Sequence, residues 1–534
     1  MFRKICYGIS ACFLLISGNV FAQELNPEII ISKEIDEPTY GGARLLQMKN
    51  GNTLYFHFSE KEGIETIVFD AGHKQIAEAK TRLESMPKIG FLKAAFHGLF
   101  ELNGKAVAFF RKYGKKDGSL YRITFDGNNG KLLEEKLIVA GNDYSWYEVF
   151  KDPASEYYGI AQCTSANKDG GMSMKLTHYS PTNEVINEGQ YEVQGNWYRL
   201  LGMYVHGAEY MVASSRGWNR ELGSVKLLIS RLAKGSHDIT TATVTAYQST
   251  LPPETTDFKY NPVSKQLYMV SVQEIEPEKK VIKFKPRGEK LEMGTNVQLV
   301  RLNVIDPSTL KTSVDKTITH PALNTYSQTH LKHKDDYNGT IQDFQLHTDG
   351  TVSLMSEELR TVPAGNGGLT MYIGDLGIIH ISEKGEELSD SYAIAKEQYH
   401  DNHYNAFDAY KRTADDMDYD TQVKRQNGYW SFNHLYLNNQ LYLLFNDIRD
   451  NVTDNENYKD KSGQTKPDKT NTMLAWFDGS KVRYQYLFGE SAGNMNRYSR
   501  LDLNALSPDG KSLATLMIER KGSKQEAHIV WVKF

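Results

Sequence analysis

Cysteine is scarce in this chain: there are three in 534 residues, and Cys6 and Cys12 lie close to the N-terminus. Only Cys163 remains in the rest of the sequence, so no disulfide can form there within one chain. A chain of this length can bury enough apolar surface to fold without one. Cys163 lies in a strand-like run with no partner base nearby in sequence, and we interpret it as a buried, inert thiol.

The sequence also lacks an excess of charge of one sign. The formal net charge is −4, and acidic and basic residues are interspersed. A nucleic-acid-binding surface or a polybasic membrane patch needs clustered basic residues, so neither partner is expected. After the first 22 residues no second long apolar run occurs, so we expect no membrane span in the mature chain.

The N-terminal segment has the pattern of a secretory signal peptide. Arg3 and Lys4 precede an apolar stretch from Ile5 to Val20, and Val20-Phe21-Ala22 provides small residues at the cleavage positions. This pattern predicts a signal peptide over residues 1–22 and export to the periplasm or the cell surface. A membrane anchor, or a lipoprotein attached through Cys12, remains as an alternative.

Sequence motifs of common catalytic sites are missing. We find no G-x-S-x-G, no P-loop, no G-x-G-x-x-G, no C-x-x-C and no S-x-D-x-G-x-T-W box. A pair of carboxylates for glycoside chemistry cannot be chosen among 66 acidic residues from sequence alone. The sequence therefore leaves enzymatic activity uncertain and favours a non-catalytic protein.

Aromatic strands, by contrast, are abundant, and they recur in a fixed order. Each unit contains an aromatic-rich strand after a tight Asn, Asp or Gly turn, then a variable loop, a third strand, another tight turn and a polar fourth strand. Such a period is typical of stacked repeats and predicts an all-β propeller of eight four-stranded blades, with seven blades as the alternative. The second strands of the eight units are Thr53–Phe58, Ala106–Phe110, Glu156–Ile160, Glu209–Ala213, Gln266–Ser271, Thr351–Met355, Gln440–Phe445 and Ser512–Leu516.

The two ends of the chain fit a closed ring. The chain stops at Ile529–Phe534, the third strand of the last unit, and the segment Glu28–Lys33 is a strand without a partner of its own. Pairing the two would complete the last blade and cover an exposed edge. We therefore predict one propeller domain over residues 23–534. Membership of Glu28–Lys33 in the first blade, and a split into two β-sandwiches, remain as alternatives.

Loop length predicts which face of the propeller carries the functional site, and we call it the working face. In a meander blade the first-to-second and third-to-fourth turns lie on one face, and these are short here. The second-to-third loops and the links between blades lie on the other face, and loops presented by a rigid scaffold often carry binding and chemistry. The long connections expected on this working face are Glu274–Asn296, His320–Gly339, Leu359–Gly374, Lys396–Gly428 and Asp447–Thr472.

The links between blades repeat a theme of Gly, Asn and aromatic residues. Flat aromatic faces beside directional hydrogen-bonding groups suit ligands, sugars included. The alternative is that these aromatics wedge between blades as core. The candidate ligand-binding residues are Trp146, Asn196, Trp197, Trp430, Arg497 and Tyr498.

One loop is dense in hard oxygen donors. Asp447, Asp450 and Asp454 are the candidate ligands of a Ca²⁺ ion, although the EF-hand pattern is absent and a solvated polar loop is the alternative. His400 with His403, and His330 with His333, have spacings that could share a metal, but no third ligand is evident. No other cofactor is expected.

Two stretches resemble a known family. They are Gly374–Gly385, continuing to Lys396-Glu397-Gln398, and Leu441–Asp447 with Asn451. Both are similar to segments of uncharacterised exported proteins of Bacteroidetes-type bacteria. The resemblance implies an envelope location and a propeller-like β fold, and it implies no activity. Ser507–Lys511 separately resembles the turn of the Tol-type periplasmic propeller repeat.

Together these observations favour a non-catalytic propeller of the bacterial envelope that binds a glycan or an envelope protein through its long-loop face. The alternative is a carbohydrate-active hydrolase or lyase, because propellers also host such enzymes through loop variation. A third hypothesis is a structural module stabilised by Ca²⁺.

Overall fold

The computed structural model describes residues 26–36, 41–59, 62–86, 94–112, 118–142, 145–166, 171–193, 196–219, 224–247, 255–275, 297–363, 369–396, 399–401, 431–448, 467–489 and 495–534. These residues form eight antiparallel sheets, each built on four strands in meander order. The four strands are consecutive in the chain except in the last sheet, and one sheet has a short fifth strand. The sheets are the blades of an eight-bladed β-propeller, as predicted, and the seven-bladed alternative is wrong.

The first four blades comprise sixteen strands. Blade 1 contains β2 (Gly42–Gln47), β3 (Thr53–Ser59), β4 (Gly63–Phe69) and β5 (Gln75–Thr81). Blade 2 contains β6 (Ala94–Leu102), β7 (Lys105–Lys112), β8 (Leu120–Asp126) and β9 (Leu132–Val139). Blade 3 contains β10 (Ser145–Lys151), β11 (Tyr158–Ala166), β12 (Gly171–Tyr179) and β13 (Val185–Val193). Blade 4 contains β14 (Asn196–His206), β15 (Tyr210–Asn219), β16 (Ser224–Ala233) and β17 (Ile239–Tyr247).

The other four blades include the closing strand, β1 (Glu28–Ile35). Blade 5 contains β18 (Thr255–Asn261), β19 (Gln266–Ile275), β20 (Val297–Ile305) and β21 (Thr312–Thr317). Blade 6 contains β22 (Gly339–Leu346), β23 (Val352–Pro363), β24 (Leu369–Ile381), β25 (Tyr392–Ile394) and the short β26 (Tyr399–Asp401). Blade 7 contains β27 (Phe432–Leu437), β28 (Gln440–Ile448), β29 (Thr470–Phe477) and β30 (Val482–Tyr486). Blade 8 contains β31 (Met495–Leu506), β32 (Ser512–Lys521), β33 (Lys524–Lys533) and β1.

The second strand of each blade is apolar on both sides because it is packed on both sides. All seven residues of β3 are buried. Phe56 and Phe58 face a hydrophobic cluster shared with blade 2, whereas Tyr55, which precedes Phe56, faces a cluster shared with blade 8. A strand buried on both faces has no polar alternation, which is why these runs were the clearest signal in the sequence.

The hydrophobic core is divided into eight clusters, one at each interface between neighbouring blades. Every blade therefore takes part in two clusters. Because burial of apolar surface is the main favourable term in folding, each blade depends on both of its neighbours. No blade can be stable at the end of a row unless something covers its outer face.

The ring is closed by β1. This strand pairs antiparallel with β33, from Glu28 opposite Lys533 to Ile35 opposite Ala527, and so supplies the fourth strand of blade 8. The predicted closure is thus confirmed. The seam with blade 1 contains the fully buried Trp531, whose indole N–H donates to the Thr53 hydroxyl at 2.9 Å.

Tight turns join the strands at one face, which we call the turn face. Asn103 and Gly104 both have positive φ, as do Asn438 and Asn439. Two consecutive residues of this kind make a two-residue hairpin that matches the twist of its strands, and Asn and Gly adopt it with the least strain. The opposite face, where second strands end and links enter first strands, we call the link face.

The link face differs from the expectation in two places. Leu359–Gly374 was expected as a long loop, but β23 extends to Pro363 and β24 begins at Leu369. The link His320–Gly339 contains a helix, α1 (Pro321–Tyr326), followed by a π-helical turn (Ser327–Leu331). This link packs against β24 and β25, and its Leu323 is in the cluster between blades 5 and 6.

Bulges mark the inner strand of every second blade. The pairing of first and second strands shifts register in blades 2, 4, 6 and 8, at His97, Leu201, Gln342 and residues 500–503. In blades 1, 3, 5 and 7 the same pairing is regular. Since a bulge bends a strand and re-aims its side chains, the inner wall alternates between two kinds of strand.

In the described ranges no helix is both long and apolar enough to cross a lipid bilayer. The signal-peptide prediction for residues 1–22 lies outside the described residues and stays a prediction.

The seam between blades 8 and 1 generates a stability prediction. Thr53→Val leaves the buried indole N–H of Trp531 without its acceptor, and we expect a loss of about 1–3 kcal/mol in the free energy of unfolding. Thr124→Val is the matched control, because Thr124 is also buried but its hydroxyl has no partner among the described residues. Chemical denaturation of both variants tests this. Equal effects would show that the hydrogen bond does not stabilise the seam.

Candidate functional site

The inner edge of the link face is formed by the starts of the first strands, which contact their counterparts in neighbouring blades. Trp146 is the second residue of β10, and its side chain is 51% exposed. Ser145 and Tyr147, on either side of it, are buried. Among the described residues, Trp146 belongs to the small group of large apolar side chains that are exposed.

The side of β10 that carries Trp146 faces blade 4. Glu148 and Phe150 follow Trp146 on the same side of the strand because β10 pairs with β11 without a register shift. Phe150 packs against Tyr204 of β14, with 5.7 Å between the ring centroids. The indole therefore lies at the link-face end of the boundary between β10 and β14.

Two further predicted residues belong to the same end of that boundary. Asn196 and Trp197 are the first two residues of β14, and their backbones pair with Asn219 and Trp218 of β15. Their side chains lie outside what the structure describes. Arg199, two positions later, is exposed, but Leu200 beside it packs in the cluster between blades 3 and 4, so Arg199 lies on the side of β14 that faces blade 5. We call Trp146, Glu148 and the strand positions 196 and 197 the blade 3–4 mouth.

The link before β10 explains why its sequence has Gly and Asn. The Ser145 backbone N–H donates to the Asn142 carbonyl at 3.0 Å, and the Asn142 N–H donates to the Ser145 hydroxyl at 3.1 Å. A Cβ on Gly141 would overlap the Tyr147 hydroxyl oxygen. Position 141 thus needs a glycine, and the hydrogen bonds between Asn142 and Ser145 hold the link just before Trp146.

On the opposite side of β10 a histidine is kept neutral. Desolvation, with a smaller effect from the Arg111 charge, lowers the pKa of His97 to about 4. Its ring lies edge-to-face with Tyr147, at 6.1 Å between centroids. At neutral pH the Tyr147 side of β10 therefore faces an uncharged imidazole at the bulge of β6.

Arg497 and Tyr498, two other predicted ligand residues, are not placed together with the mouth. Arg497 donates to Glu519 at 2.8 Å and to the Phe488 carbonyl at 3.4 Å. Tyr498 is 3% exposed and packs in the cluster between blades 8 and 1. A ligand could reach its side chain only if this core residue became exposed. Trp430 lies outside the described residues.

The predicted Ca²⁺ ligands are only partly within the described residues. Asp447 is a buried residue near the end of β28, and its carboxylate accepts the Ile448 backbone N–H at 2.7 Å. Asp450 and Asp454 lie outside the described residues, as does His403. The role of these aspartates in binding an ion stays a prediction.

Blade 6 contains a buried charged group that the sequence reading missed. The Lys396 ammonium lies 2.6 Å from the Glu357 carboxylate, with side-chain exposures of 1% and 0%. The Ser431 hydroxyl donates to the same carboxylate at 2.9 Å. Two charges removed from water are tolerable only when they are paired and hydrogen-bonded in this way.

On blade 6 the structure also brings together the donor atoms of His333, Glu358 and Asp375, all within 4.8 Å of one another. Their spacing is one at which three such side chains could hold a metal ion. His333 was considered in the sequence and set aside because no third ligand was evident. Its partners lie 25 and 42 residues further along the chain, so spacing in the sequence gave no signal.

Cys163 is buried and unpaired, as predicted. Burial raises the pKa of its thiol to about 12. A thiol with this pKa is almost entirely protonated at neutral pH, and only the thiolate is a good nucleophile. Cys163 is therefore part of the apolar cluster between blades 3 and 4 and is not a catalytic group.

Comparisons with known proteins find only distant structural similarity. No family model and no curated protein matches the chain. A structure from a study of two prolyl endopeptidases covers 91% of the chain at 9% identity with a TM-score of 0.36, and the chain spans about half (55%) of that protein's length. The polysaccharide lyase Uly1 covers 85% at 8% identity (TM-score 0.38, 93% of its own length). The lectin BP39L from Burkholderia pseudomallei covers 66% at 9% identity (TM-score 0.25, 99% of its own length). Similarity this low gives no information about ligand or activity.

The buried pair on blade 6 gives a test of its contribution. Lys396→Met leaves the Glu357 carboxylate buried without this ammonium, and we expect a loss of about 3–5 kcal/mol in the free energy of unfolding. The double variant Glu357→Gln/Lys396→Met removes both charges and should recover most of that loss. Urea denaturation compares the three proteins. A cost below about 1 kcal/mol for Lys396→Met would contradict the role given to this pair.

The thiol gives a second test. At pH 8 a pKa of about 12 leaves roughly one Cys163 in ten thousand as thiolate, so we expect negligible labelling by an aromatic disulfide reagent in the native protein. In denaturant the same residue should react within minutes. Peptide mass mapping identifies the labelled cysteine. Native labelling at the rate of a free thiol would contradict the burial.

Proposed function

We propose that this protein is a non-catalytic binding propeller that recognises a saccharide at the blade 3–4 mouth. The single observation that supports the proposal is the half-exposed indole of Trp146, held on an inner strand whose neighbouring residues are buried. A sugar ring presents an apolar face of C–H groups that packs on an aromatic ring, and its hydroxyls need directional polar partners.

The surroundings of Trp146 provide such a polar partner. Glu148 lies on the same side of β10, which faces β14. A carboxylate accepts hydrogen bonds from hydroxyls. Asn196 and Trp197, at the start of β14, extend the proposed contact set. We leave the buried Tyr498 out of it.

The signal-peptide pattern of residues 1–22 supports the further proposal that the protein acts in the periplasm or on the cell surface, where extracellular saccharides are met. This proposal rests on the sequence alone. Fractionation of cells producing the full chain, with N-terminal sequencing of the product, tests it, and an intact N-terminus in the cytoplasm would contradict it.

The binding prediction compares two residues of similar exposure. We expect Trp146→Ala to weaken binding of a saccharide found on a glycan array by about tenfold or more, because truncating an aromatic anchor costs at least 1.4 kcal/mol. Leu133→Ala is the matched control, since Leu133 is 50% exposed but lies on the outer strand β9. Isothermal titration calorimetry measures both.

Two results would contradict the proposal. Unchanged affinity in Trp146→Ala would remove the mouth from the binding site. The second contradicting result is cleavage of the bound saccharide by the wild type, detected by chromatography of the products. The protein would then be an enzyme. A melting curve for each variant confirms that the ring is intact.

A further inference from the structure

Three separate segments of the chain converge on blade 6 outside the proposed saccharide site. His333 comes from the link between blades 5 and 6, Glu358 from β23 and Asp375 from β24. The Nε2 atom of His333 lies 2.8 Å from Oδ2 of Asp375, and the nearest donor atoms of all three side chains lie within 4.8 Å of one another.

The link is shaped so that His333 reaches the sheet. Its π-helical turn ends at Leu331, and the next residue, Lys332, has a left-handed backbone (φ 62°). The His333 N–H then donates to the Ser327 carbonyl at 3.2 Å. π-Helical turns and non-glycine residues at positive φ are costly and concentrate at functional sites. The helix before it is anchored by Glu387, whose carboxylate accepts the backbone N–H groups of Ala322 and Leu323 at 2.7 and 3.1 Å.

Asp375 is held in place by its own neighbours. Its Oδ1 accepts the Lys396 backbone N–H at 3.0 Å, which leaves Oδ2 directed to His333. Its carbonyl accepts the Tyr337 hydroxyl at 3.0 Å. Supporting hydrogen bonds of this kind orient the ligands of metal sites.

Two glycines make room for Tyr337. A Cβ on Gly377 would lie 2.7 Å from the Tyr337 ring, and one on Gly339, which pairs with Glu358, would overlap the same ring. The Gly374–Gly377 stretch that the sequence singled out therefore has a structural reason. Asp375 supplies a donor atom, and Gly377 admits the ring that holds Asp375.

We propose that His333, Glu358 and Asp375 bind a divalent transition-metal ion, with Zn²⁺ as the first ion to test. One imidazole nitrogen and two carboxylate oxygens are a donor set that Zn²⁺ takes, and three protein ligands leave a position for water. Two ligands about 2.0–2.1 Å from a tetrahedral ion are about 3.3–3.4 Å apart. His333 and Asp375 would thus separate by about half an ångström, exchanging their hydrogen bond for bonds to the ion.

The site is accessible to an ion from solvent. The side chains of His333 and Asp375 retain 17% and 10% exposure, and Glu358 is half-buried. Imidazole coordination also separates this site from a Ca²⁺ or Mg²⁺ site, because those ions prefer all-oxygen ligands. The expected order of affinity is therefore Zn²⁺ well above Ca²⁺ and Mg²⁺.

The experiment is titration of tag-free, chelator-treated protein with ZnCl₂, and separately with CaCl₂ and MgCl₂, by isothermal titration calorimetry. We expect one Zn²⁺ per chain, and at least a hundredfold loss of affinity in His333→Ala and in Glu358→Gln, since removing even a supporting residue of a metal site costs 10–100-fold. His330→Ala is the matched control: His330 lies on the same link, is exposed, and should leave the affinity unchanged.

A second readout separates this site from other histidines. Co²⁺ in place of Zn²⁺ should give a visible d–d absorption band that disappears in His333→Ala and persists in His330→Ala. Melting curves of the metal-free variants show whether the ring is folded. Absence of stoichiometric Zn²⁺ binding, or equal affinity in wild type, His333→Ala and Glu358→Gln, would overturn the proposal. Neither result depends on a saccharide being found.

Discussion

The pairing of β1 with β33 is the constraint on which the rest of the structure depends. Every blade buries one side against each neighbour, so the eight clusters form a closed series with no free end. Without β1, blade 8 would expose the edge of β33 and its side of the seam around Trp531. A repeat array without an end cap loses part of its hydrophobic stabilisation and presents an open strand edge to other chains.

Closure also determines where function can be placed. Because each sheet is apolar on both sides, the blades offer little surface except at the inner edge, the outer edge and the two faces. The turn face is occupied by short hairpins such as Asn103-Gly104, which leave little room for variation. Trp146 is accordingly found at the start of a first strand, at the inner edge. His333 is found in a link that packs against blade 6.

The fold could be predicted from the sequence because its signals are local and repeated. Second strands such as β3 are rich in apolar and aromatic residues, and hairpin turns need residues that accept positive φ. The side on which a given residue lies was harder to predict. Tyr498 was a candidate ligand-binding residue, but it is a core residue. The bulge at residues 500–503 of β31 cannot be predicted from a pattern of period two.

The polar groups of blade 6 were missed for a related reason. Pairing of β23 with β24 shifts register between Glu357 and Leu359, so two adjacent glutamates take different partners: Glu357 meets Lys396 and Ser431, and Glu358 joins His333 and Asp375. Sequence shows two consecutive acids in a strand, which is usually a sign of an exposed edge. Only the register and the π-helical turn of the distant link bring these side chains to their partners.

Blade 6 departs locally from apolar packing between blades, and this departure is informative. A strand position between two apolar sheets favours an apolar residue, and the buried pair Glu357–Lys396 replaces such contacts with charges that must be desolvated. Local violations of packing and backbone rules are typical of functional or strained sites. Here the buried ion pair, a positive φ at Lys332, the π-helical turn and two glycines under Tyr337 all occur around one group of three side chains. That concentration is the physical reason for looking to blade 6, as well as to the exposed indole on blade 3, for what this propeller binds.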